Sequence, residues 1–407
     1  MLRRIKIEDL KEGMVFSEPL FFDDGKNRVL SKMLPVSQRE LSVLKKWKVP
    51  FVMTAGKIVK KDTEVDSLVG TLDTLPDEAD TAVAVMERKH EDTAVETDIL
   101  ALPEILTQSD LYVEYLSIIQ SLDGVLNDIK LKKTMPDRPI DGIALKVHNL
   151  LAADKTLALS FVLCSEITEW EMAKSLVDSA ILAEVIASFM KVPDGYRNEI
   201  ILAALLHDCG MLKIPEAITK KKDKLSDTEI QAIAAHTMYG YKTVLSELMY
   251  TERIALIVLQ HHERWDGKGY PNGLSKESIE LGARILAVVD AFVTMTTTKM
   301  YHKALLGYDA MKTLAEDKGR RFDYEVIKAM IRSIGVYPIG SVVLMNDTSF
   351  ARVVGIAPEA PLRPLVRQLT DETGKEFPHN TGKLIDLREY KNTFIVKAVD
   401  RQVFQKK

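Results

Sequence analysis

The spacing of apolar residues changes twice along this chain, and this restricts the fold more than any other feature. Between about residues 100 and 335, apolar residues recur every three or four positions, which predicts helices. Before about residue 60 and after about residue 335, the apolar runs are short and separated by turn residues, as in strands. We therefore expect a mainly α protein with a helical core, a small N-terminal α/β or β-rich module and a C-terminal β extension.

Individual segments refine this division. "MVFSEPLFF" and "VPFVMT" have strand composition, whereas "SQRELSVLKKW" has helical spacing. The acidic stretch that follows holds twelve Asp or Glu against three Lys or Arg and has no apolar period, which favours a solvated linker. The predicted boundaries are 1–60 for a regulatory N-terminal module, 61–99 for the acidic linker, 100–159 for a helical connector, 160–335 for the domain that carries the chemistry, and 336–407 for the β module.

Several helices and strands have recognisable limits. "SDLYVEYLSIIQSLDGVL", "WEMAKSLVDSAILAEVIASFM" and "LGARILAVVDAFVTMTT" have the apolar content of packed helices. Ser226 and Glu229 have capping-box spacing, so we expect a helix to begin there and to end at His236. In the β module, "SVVLM", "ARVVGI", "PLVRQL" and "TFIVKAV" predict four strands.

The overall composition excludes several classes of protein. The net charge of −4 gives no general attraction to a nucleic acid polymer. Two cysteines, Cys164 and Cys209, are too few for a disulfide framework, which favours a reducing cytoplasm. No apolar run approaches the ~18 residues that span a bilayer, and the N-terminal segment lacks the apolar centre of a signal peptide. We expect a cytoplasmic protein without membrane insertion.

Histidine and aspartate residues are concentrated where the predicted helices end. Of eight histidines, five lie between residues 207 and 302. A single histidine at a helix end is more often a capping or core residue, and an aspartate in an apolar helix needs a partner because burying a lone carboxylate is costly. Together, such groups satisfy one another by sharing metal ions. The candidate ligands are His207, Asp208, His236, His261, His262 and Asp290.

These six groups indicate a centre for divalent transition metals. Imidazole and carboxylate ligands suit Mn, Fe or Zn, and the lack of a ligating cysteine pair argues against a structural zinc site. Six ligands exceed what one ion takes while leaving room for a substrate, so two ions about 3.5–4 Å apart fit better. Such a pair activates water for attack on a phosphodiester. In "HHERWDGKGYP" the doublet supplies two nitrogens, and the glycines and proline then turn the chain away.

The ordered set "LLHDCG", "AAHTMYG", "HHERWDGKGYPNGL" and "RILAVVDAFVTM" resembles the HD-GYP family of cyclic di-GMP phosphodiesterases over about 160–335. The resemblance implies an HD-type helical bundle and hydrolysis of cyclic di-GMP to pGpG or GMP. It implies Fe or Mn as the metal, catalytic roles for Asp208 and Lys299, and phosphate contacts from Lys299 and His302. The start of the chain resembles a small N-terminal domain that often precedes this module, and the tail resembles a β extension of some members.

The chain also departs from the family pattern. Alignment on "SLVDSAILAEVI" places Ser175 where the family has a further His ligand, and Glu171 where some members have an extra Glu ligand. We expect Glu171, Ser175 and Asp178 to share one helix face directed at the metals. Met211 replaces a family Lys near the substrate phosphate, and Lys213 lies two residues further on as a candidate substitute. Lys299 stands where the family usually has Arg, and it binds phosphate as a point charge.

The two predicted metal positions are therefore unequal. By the family pattern one takes Asp208, His236, His261 and His262, all of which are present. The other takes His207, Asp208 and Asp290 and lacks its further His. We expect one firmly bound ion and a second, more weakly held one. Three functions stay open, and the first two are an active phosphodiesterase and a cyclic di-GMP receptor that signals by binding. A related enzyme for another cyclic dinucleotide is the third.

The loop after the histidine doublet has its own predictions. Gly269, Tyr270 and Pro271 are typical of a rigid surface loop, and the resemblance adds contacts with a protein partner there. Glu263 and Asp266 are interpreted as residues that either support the ligands from behind or fix this loop, rather than as ligands. Cys209 is interpreted as a packing residue. A homodimer stays open.

Overall fold

The structure is a computed structural model, and its described residues form two compact units, Met1–Glu78 and Ala79–Lys407. The acidic linker 61–99 lies outside the described residues, as do Lys299 and His302. The structure describes residues 3–11, 14–18, 20–21, 28–30, 36, 41, 44, 49–59, 109–134, 138–164, 170–221, 223–297, 305–317, 319–377 and 381–399.

The first unit is a small antiparallel sheet over an apolar core. Its strands are β1 (Arg3–Lys6), β2 (Val15–Phe16), β3 (Leu20–Phe21), β4 (Arg28–Leu30), β5 (Phe51–Thr54) and β6 (Ile58–Val59). They form one sheet in the order β1-β5-β3-β4 and a separate β2-β6 pair. Phe16, Leu20, Leu44 and Val52 are buried beneath them. The predicted strands are confirmed, and the two described residues of the predicted helix, Leu41 and Leu44, are helical and buried.

The second unit is mainly helical. The helices in chain order are α1 (Asp110–Lys130), α2 (Asp141–Ala153), α3 (Lys155–Cys164), α4 (Glu171–Phe189), α5 (Asp194–Leu206), α6 (Glu216–Thr219), α7 (Asp227–Ala234), α8 (His236–Lys242), α9 (Glu252–Gln260), α10 (Leu281–Thr296), α11 (Gly307–Glu316) and α12 (Tyr324–Ile334). Helix α4 is buried along most of its length, because its Ala, Val, Leu and Ile side chains face neighbours on every side. Helices α1, α5, α10 and α12 all pack against it. No helix in the described ranges has the length and apolarity needed to span a bilayer.

The predicted helix limits are confirmed with one correction. Ser226 and Glu229 form a complete capping box at the start of α7. The expectation that His236 ends this helix is wrong, because α7 ends at Ala234 and His236 begins α8. The physical reason is competition for carbonyl groups. His236 Nδ1 lies 2.7 Å from the Ile233 oxygen, and the Thr237 hydroxyl donates to the Ala234 oxygen at 3.1 Å, so side chains take bonds that a continuing helix would use.

The chain after α12 forms a five-stranded antiparallel sheet. Its strands are β7 (Val342–Met345), β8 (Phe350–Gly355), β9 (Leu365–Gln368), β10 (Leu384–Asp386) and β11 (Ile395–Val399), in the order β10-β9-β8-β7-β11. The four predicted strands are confirmed. Strand β10 was not predicted, because a strand of three residues is too short to show the alternation of apolar and polar residues. The fold class expected from sequence is thus confirmed: a helical core with a small sheet at each end of the chain.

A buried ion pair joins the start of the helical core to its central helix. Asp178 of α4 accepts a hydrogen bond from Lys174 Nζ at 2.6 Å and another from the Tyr115 hydroxyl of α1, also at 2.6 Å. All three side chains are buried. The ion pair could have been predicted from sequence, because Lys174 and Asp178 are four residues apart in a helix. The Tyr115 contact could not, because it joins residues far apart in sequence.

Candidate metal centre

Three chain segments bring four predicted ligands together. His207 follows the last residue of α5 and Asp208 comes next; His236 begins α8; His261 and His262 follow the end of α9. In Asp208, His236, His261 and His262, one ligand atom from each lies within 4.8 Å of every other. Helix ends suit this purpose because they place a side chain at a boundary of the packed core, next to open space.

Three of the histidines are oriented in the same way. Nδ1 of His207, His236 and His261 lies 2.7–2.8 Å from the carbonyl oxygen three residues earlier, in the helix that precedes each histidine. An imidazole that donates from Nδ1 to a carbonyl leaves Nε2 as the lone-pair nitrogen, and this arrangement is common among metal ligands. The backbone therefore selects Nε2 as the ligand atom in all three rings.

The lone pairs of the cluster point at one another, which suits a cation. Nε2 of His236 and Nε2 of His261 are 3.3 Å apart. Two nitrogens bound to one ion at about 2.0–2.1 Å are about 2.8–3.0 Å apart in octahedral geometry and about 3.3–3.4 Å apart in tetrahedral geometry. Burial lowers the pKa of His261 well below its ordinary value, and burial lowers the pKa of His262 to about 4. Neutral rings are the metal-binding form, so this donor set fits a divalent transition metal.

Asp208 lies between this cluster and a second group of ligands. Its Oδ1 is 3.3 Å from His236 Nε2 and 3.8 Å from His261 Nε2, whereas its Oδ2 is 3.9 Å from His207 Nε2. Asp290 Oδ1 approaches His207 Nε2 from α10 at 3.8 Å. The two carboxylate oxygens of Asp208 therefore face two different groups, as a bridging ligand requires.

His207 differs electrostatically from the other histidines. Burial alone would lower its pKa, but the carboxylates of Asp208 and Asp290 outweigh burial and raise the pKa of His207 to about 9. The same two carboxylates that hold a proton on His207 would hold a metal ion in its place. This second group contains His207, Asp208 and Asp290, the three residues predicted for the weaker position.

Close backbone contact at Gly210 positions Asp208 relative to His236. The 3₁₀ helix Cys209–Lys213 begins directly after Asp208 and packs on α8. A Cβ atom at Gly210 would overlap the His236 carbonyl oxygen and lie 2.6 Å from the Gly240 nitrogen. Only glycine allows this approach. The contact sets the distance between the two ligand-bearing segments.

The loop after the doublet is fixed by its own acidic residues, as predicted. Both oxygens of the buried Glu263 accept backbone hydrogen bonds, from Asn272 at 2.7 Å and from Leu274 at 3.0 Å. Asp266 pairs with Arg264, with Oδ2 2.7 Å from a guanidinium nitrogen. These bonds show that Glu263 and Asp266 fix the loop.

The GYP residues lie against the cluster itself. A Cβ at Gly269 would overlap the backbone nitrogen of Arg264, so glycine is required for the loop to fold back. The Tyr270 ring then packs on the His262 ring, with centroids 4.9 Å apart, and a cis peptide joins Tyr270 to Pro271. Burial first, and then the carboxylates of Asp208 and Asp290, raise the pKa of the Tyr270 hydroxyl. The sequence pattern predicted a surface loop here and carried no signal for the contact between Tyr270 and His262.

Helix α4 was expected to direct Glu171, Ser175 and Asp178 at the metals. Glu171 is exposed at the first position of α4 and Ser175 is half-buried. The expectation that Asp178 faces the metals is wrong, because Lys174 and Tyr115 occupy both of its carboxylate oxygens. A buried carboxylate keeps the partners that neutralise it. Neither Glu171 nor Asp178 joins the four-residue cluster.

Of the residues proposed to contact the substrate, the structure describes only those in the 3₁₀ helix after Asp208. Met211 is half-buried in the 3₁₀ helix, and the Lys213 ammonium group forms an ion pair with Glu247. Glu247 was missed by the sequence analysis, since a glutamate on an exposed helix end carries no distinctive signal. Lys299 and His302 lie outside the described residues.

Burial raises the pKa of the Cys209 thiol to about 12, in keeping with a packing role.

Comparison with known families identifies the helical part of the chain. Residues 153–326 match the HD domain family, and residues 342–407 match a KOW domain associated with HD domains. This stretch of the chain is therefore similar in sequence to HD domains. The family resemblance expected from the four motifs is confirmed, and the HD domain contains every ligand of the cluster.

Curated relatives of this HD domain carry related names. The cyclic di-GMP phosphodiesterase PA4108 of Pseudomonas aeruginosa is 32% identical over 209 residues, covering 51% of this chain and 50% of that protein. The cyclic di-GMP phosphodiesterase PdeB of Borreliella burgdorferi is 30% identical over 225 residues, covering 55% of this chain and 59% of that protein. The chain thus spans only about half the length of these relatives.

Two further matches widen the comparison. A 3′3′-cGAMP-specific phosphodiesterase of Vibrio cholerae is 31% identical over 159 residues, covering 39% of this chain and 34% of that protein. Among solved structures, Bd1817, an HDG"Y"P protein from Bdellovibrio bacteriovorus, has a TM-score of 0.46 at 18% identity, covering 81% of this chain and 98% of that chain.

Proposed function

We propose that this protein is a metal-dependent phosphodiesterase that hydrolyses cyclic di-GMP to pGpG or GMP. The observation that carries the proposal is the convergence of His236 Nε2, His261 Nε2 and Asp208 Oδ1 within an HD domain. The names of the similar proteins support the choice of substrate class. The relative named for 3′3′-cGAMP makes other cyclic dinucleotides the natural comparison substrates.

The chain's own residues divide the work as follows. Asp208, His236, His261 and His262 would hold one ion, and His207, Asp208 and Asp290 would hold the other, with Fe or Mn as the metal. When bound, such ions activate water and neutralise charge on a phosphodiester. Tyr270 covers one side of the cluster by packing on His262. Lys299 and His302 remain proposed phosphate contacts, on the family resemblance alone.

A second candidate function is a receptor that binds cyclic di-GMP without turnover. The observation that favours it is the composition of α4, where half-buried Ser175 stands at the family's histidine position and Glu171 is exposed. If no residue completes the group around His207 and Asp290, that position holds its ion weakly. A receptor of this kind would still bind the dinucleotide through the first ion.

The direct test uses the full chain loaded with Mn²⁺ or Fe²⁺ under anaerobic conditions. We expect the loaded protein to convert cyclic di-GMP to a linear product, followed by chromatography, and to act more slowly on 3′3′-cGAMP. His262→Ala should abolish conversion, because it removes one ligand nitrogen of the cluster. A loaded, folded protein that binds cyclic di-GMP but releases only the cyclic form would favour the receptor instead.

The Ser175 position allows a gain-of-function test. Ser175→His should supply the imidazole that the family pattern has at this place, raise metal content toward two ions per chain, and speed hydrolysis. Changes in groups around a metal commonly alter affinity or activity about 10–100-fold. Met211→Lys is the comparison variant, since it adds charge without adding a ligand and should leave metal content unchanged. If Ser175→His folds but alters neither quantity, either the alignment of α4 is wrong or Glu171 and water already fill this position.

A further inference from the structure

Two segments that carry ligands of the centre are joined a second time, at some distance from the ligands. Lys213 is the last residue of the 3₁₀ helix that starts directly after Asp208. Glu247 is the last residue of a π-helical turn, Thr243–Glu247, which continues the helix that His236 begins. The Lys213 ammonium group and the Glu247 carboxylate form an ion pair. The pair therefore spans from the Asp208 segment to the His236 segment.

The Glu247 carboxylate of this pair is also held by a buried hydroxyl group. The hydroxyl of Thr243, a fully buried residue, donates to Glu247 Oε1 at 3.3 Å. The Leu248 nitrogen donates to the Thr243 oxygen at 2.9 Å, five residues back, which closes the π turn. One extra residue in a turn rotates the residues that follow by about 100°. The π turn thus contributes to where Glu247 points, and π turns are frequent at functional sites.

We propose that Lys213 is a positioning residue of the metal centre, which acts through Glu247 to hold the Asp208 turn against the His236 helix. Gly210 provides the first contact between the same two segments, through the His236 backbone. A second contact restricts rotations of the Asp208 turn that the Gly210 contact by itself would leave free. Asp208 faces both ligand groups, so a small rotation of its turn would disturb both. The inference rests on the proposed function for the identity of the centre.

This role differs from a contact with substrate phosphate. The Lys213 side chain is 29% exposed and that of Glu247 is 47% exposed, so the pair lies at the surface, where it is solvated on one side and held by the Thr243 hydroxyl on the other. The charge of Lys213 is offset by a carboxylate that Thr243 orients. A phosphate would first have to displace that carboxylate. A positioning role predicts that either partner of the pair matters for metal binding, whereas a substrate contact predicts that only Lys213 matters, and only for nucleotide binding.

The test measures Mn²⁺ binding by equilibrium dialysis of the metal-free full chain, without nucleotide. We expect Lys213→Ala and Glu247→Gln each to weaken binding about three- to tenfold, somewhat below the roughly 10–100-fold typical of groups bonded directly to ligands. The double variant should be no weaker than either single variant, because both remove one interaction. Exchanging the charges, Lys213→Glu with Glu247→Lys, should restore most of the affinity. Lys133→Ala, which breaks the exposed pair with Asp128, is the matched control and should bind like wild type.

The outcomes separate the alternatives. Unchanged Mn²⁺ affinity in both single variants would overturn the proposal, and loss of cyclic di-GMP affinity in Lys213→Ala alone would assign Lys213 to the substrate. Glu247→Gln keeps the side-chain shape, so the test does not depend on whether Lys213→Ala folds. A wild type that binds Mn²⁺ but hydrolyses nothing refutes the enzyme function and leaves the positioning role intact. A wild type that binds no Mn²⁺ refutes both.

Discussion

Asp208→Ala is expected to abolish metal binding and hydrolysis together, whereas Asp290→Ala should remove one ion and leave the other. The difference follows from geometry, because Asp208 Oδ1 faces His236 and His261 while Oδ2 faces His207. Asp290 Oδ1 lies 3.8 Å from His207 Nε2 and accepts from the Thr294 hydroxyl, and Asp290 is not one of the four residues of the cluster. The loss in metal affinity for Asp208→Ala should exceed the roughly 10–100-fold that follows removal of a group behind a ligand. Elemental analysis and nucleotide chromatography measure the two quantities.

Two further variants control this comparison. Asp208→Asn keeps the shape of the side chain and one good acceptor oxygen, so it should retain more metal than Asp208→Ala. Glu263→Gln changes a buried carboxylate that holds the loop and contacts no ligand nitrogen in the described structure, so metal content should fall little. Equal metal content in the Asp208 and Asp290 variants would contradict the bridging role of Asp208.

Gly210→Ala is expected to destabilise the protein strongly, although it replaces only a hydrogen atom by a methyl group. The new Cβ would overlap the His236 carbonyl oxygen, which is backbone and cannot rotate away. Forcing extra volume into a packed site costs about 1–3 kcal/mol and occasionally more, and we expect about 3 kcal/mol here. At about 2–4 °C per kcal/mol, the melting temperature of the metal-free protein should fall by about 6–12 °C. Metal affinity should fall as well, because Asp208 and His236 are pushed apart.

Gly124 supplies the matched control. It lies inside α1, and a Cβ there would meet no atom within 4 Å. Gly124→Ala should therefore stabilise the protein by about 0.5–1 kcal/mol, since alanine loses less backbone entropy in a helix. Calorimetry of the two variants compares one chemical change in two environments. A Gly210→Ala protein that melts and binds metal like wild type would refute the close approach of the two segments.

Several features of this protein could be predicted from local sequence because local interactions cause them. The capping box of Ser226 and Glu229 involves atoms three residues apart, and it appears as predicted. The apolar periods of α1, α4 and α10 and four strands of the C-terminal sheet were likewise readable. The motifs also pointed to the ligands, because an aspartate in an apolar helix such as Asp290 carries an energetic cost that needs an explanation.

The failures of prediction have a common cause. Asp178 shares a helix face with Ser175, which made a role at the metals reasonable, but Tyr115 lies 63 residues away in sequence and takes one of its oxygens. Lys213 could replace the missing lysine on spacing alone, but Glu247, 34 residues later, pairs with it. The break between α7 and α8 depends on side chains that compete for carbonyls, and helical period alone cannot reveal it.

The sequence by itself determined the helical class and the ligand candidates, because periodicity, capping and the cost of buried charge act over a few residues. Its four motifs carried the resemblance to the HD-GYP family. Only the tertiary structure decided how these candidates are grouped. The placement of Asp208 between two sets of imidazoles, the contact of Gly210 with the His236 backbone and the packing of Tyr270 on His262 all join separate segments. Such contacts depend on how whole helices pack, which no short stretch of sequence encodes.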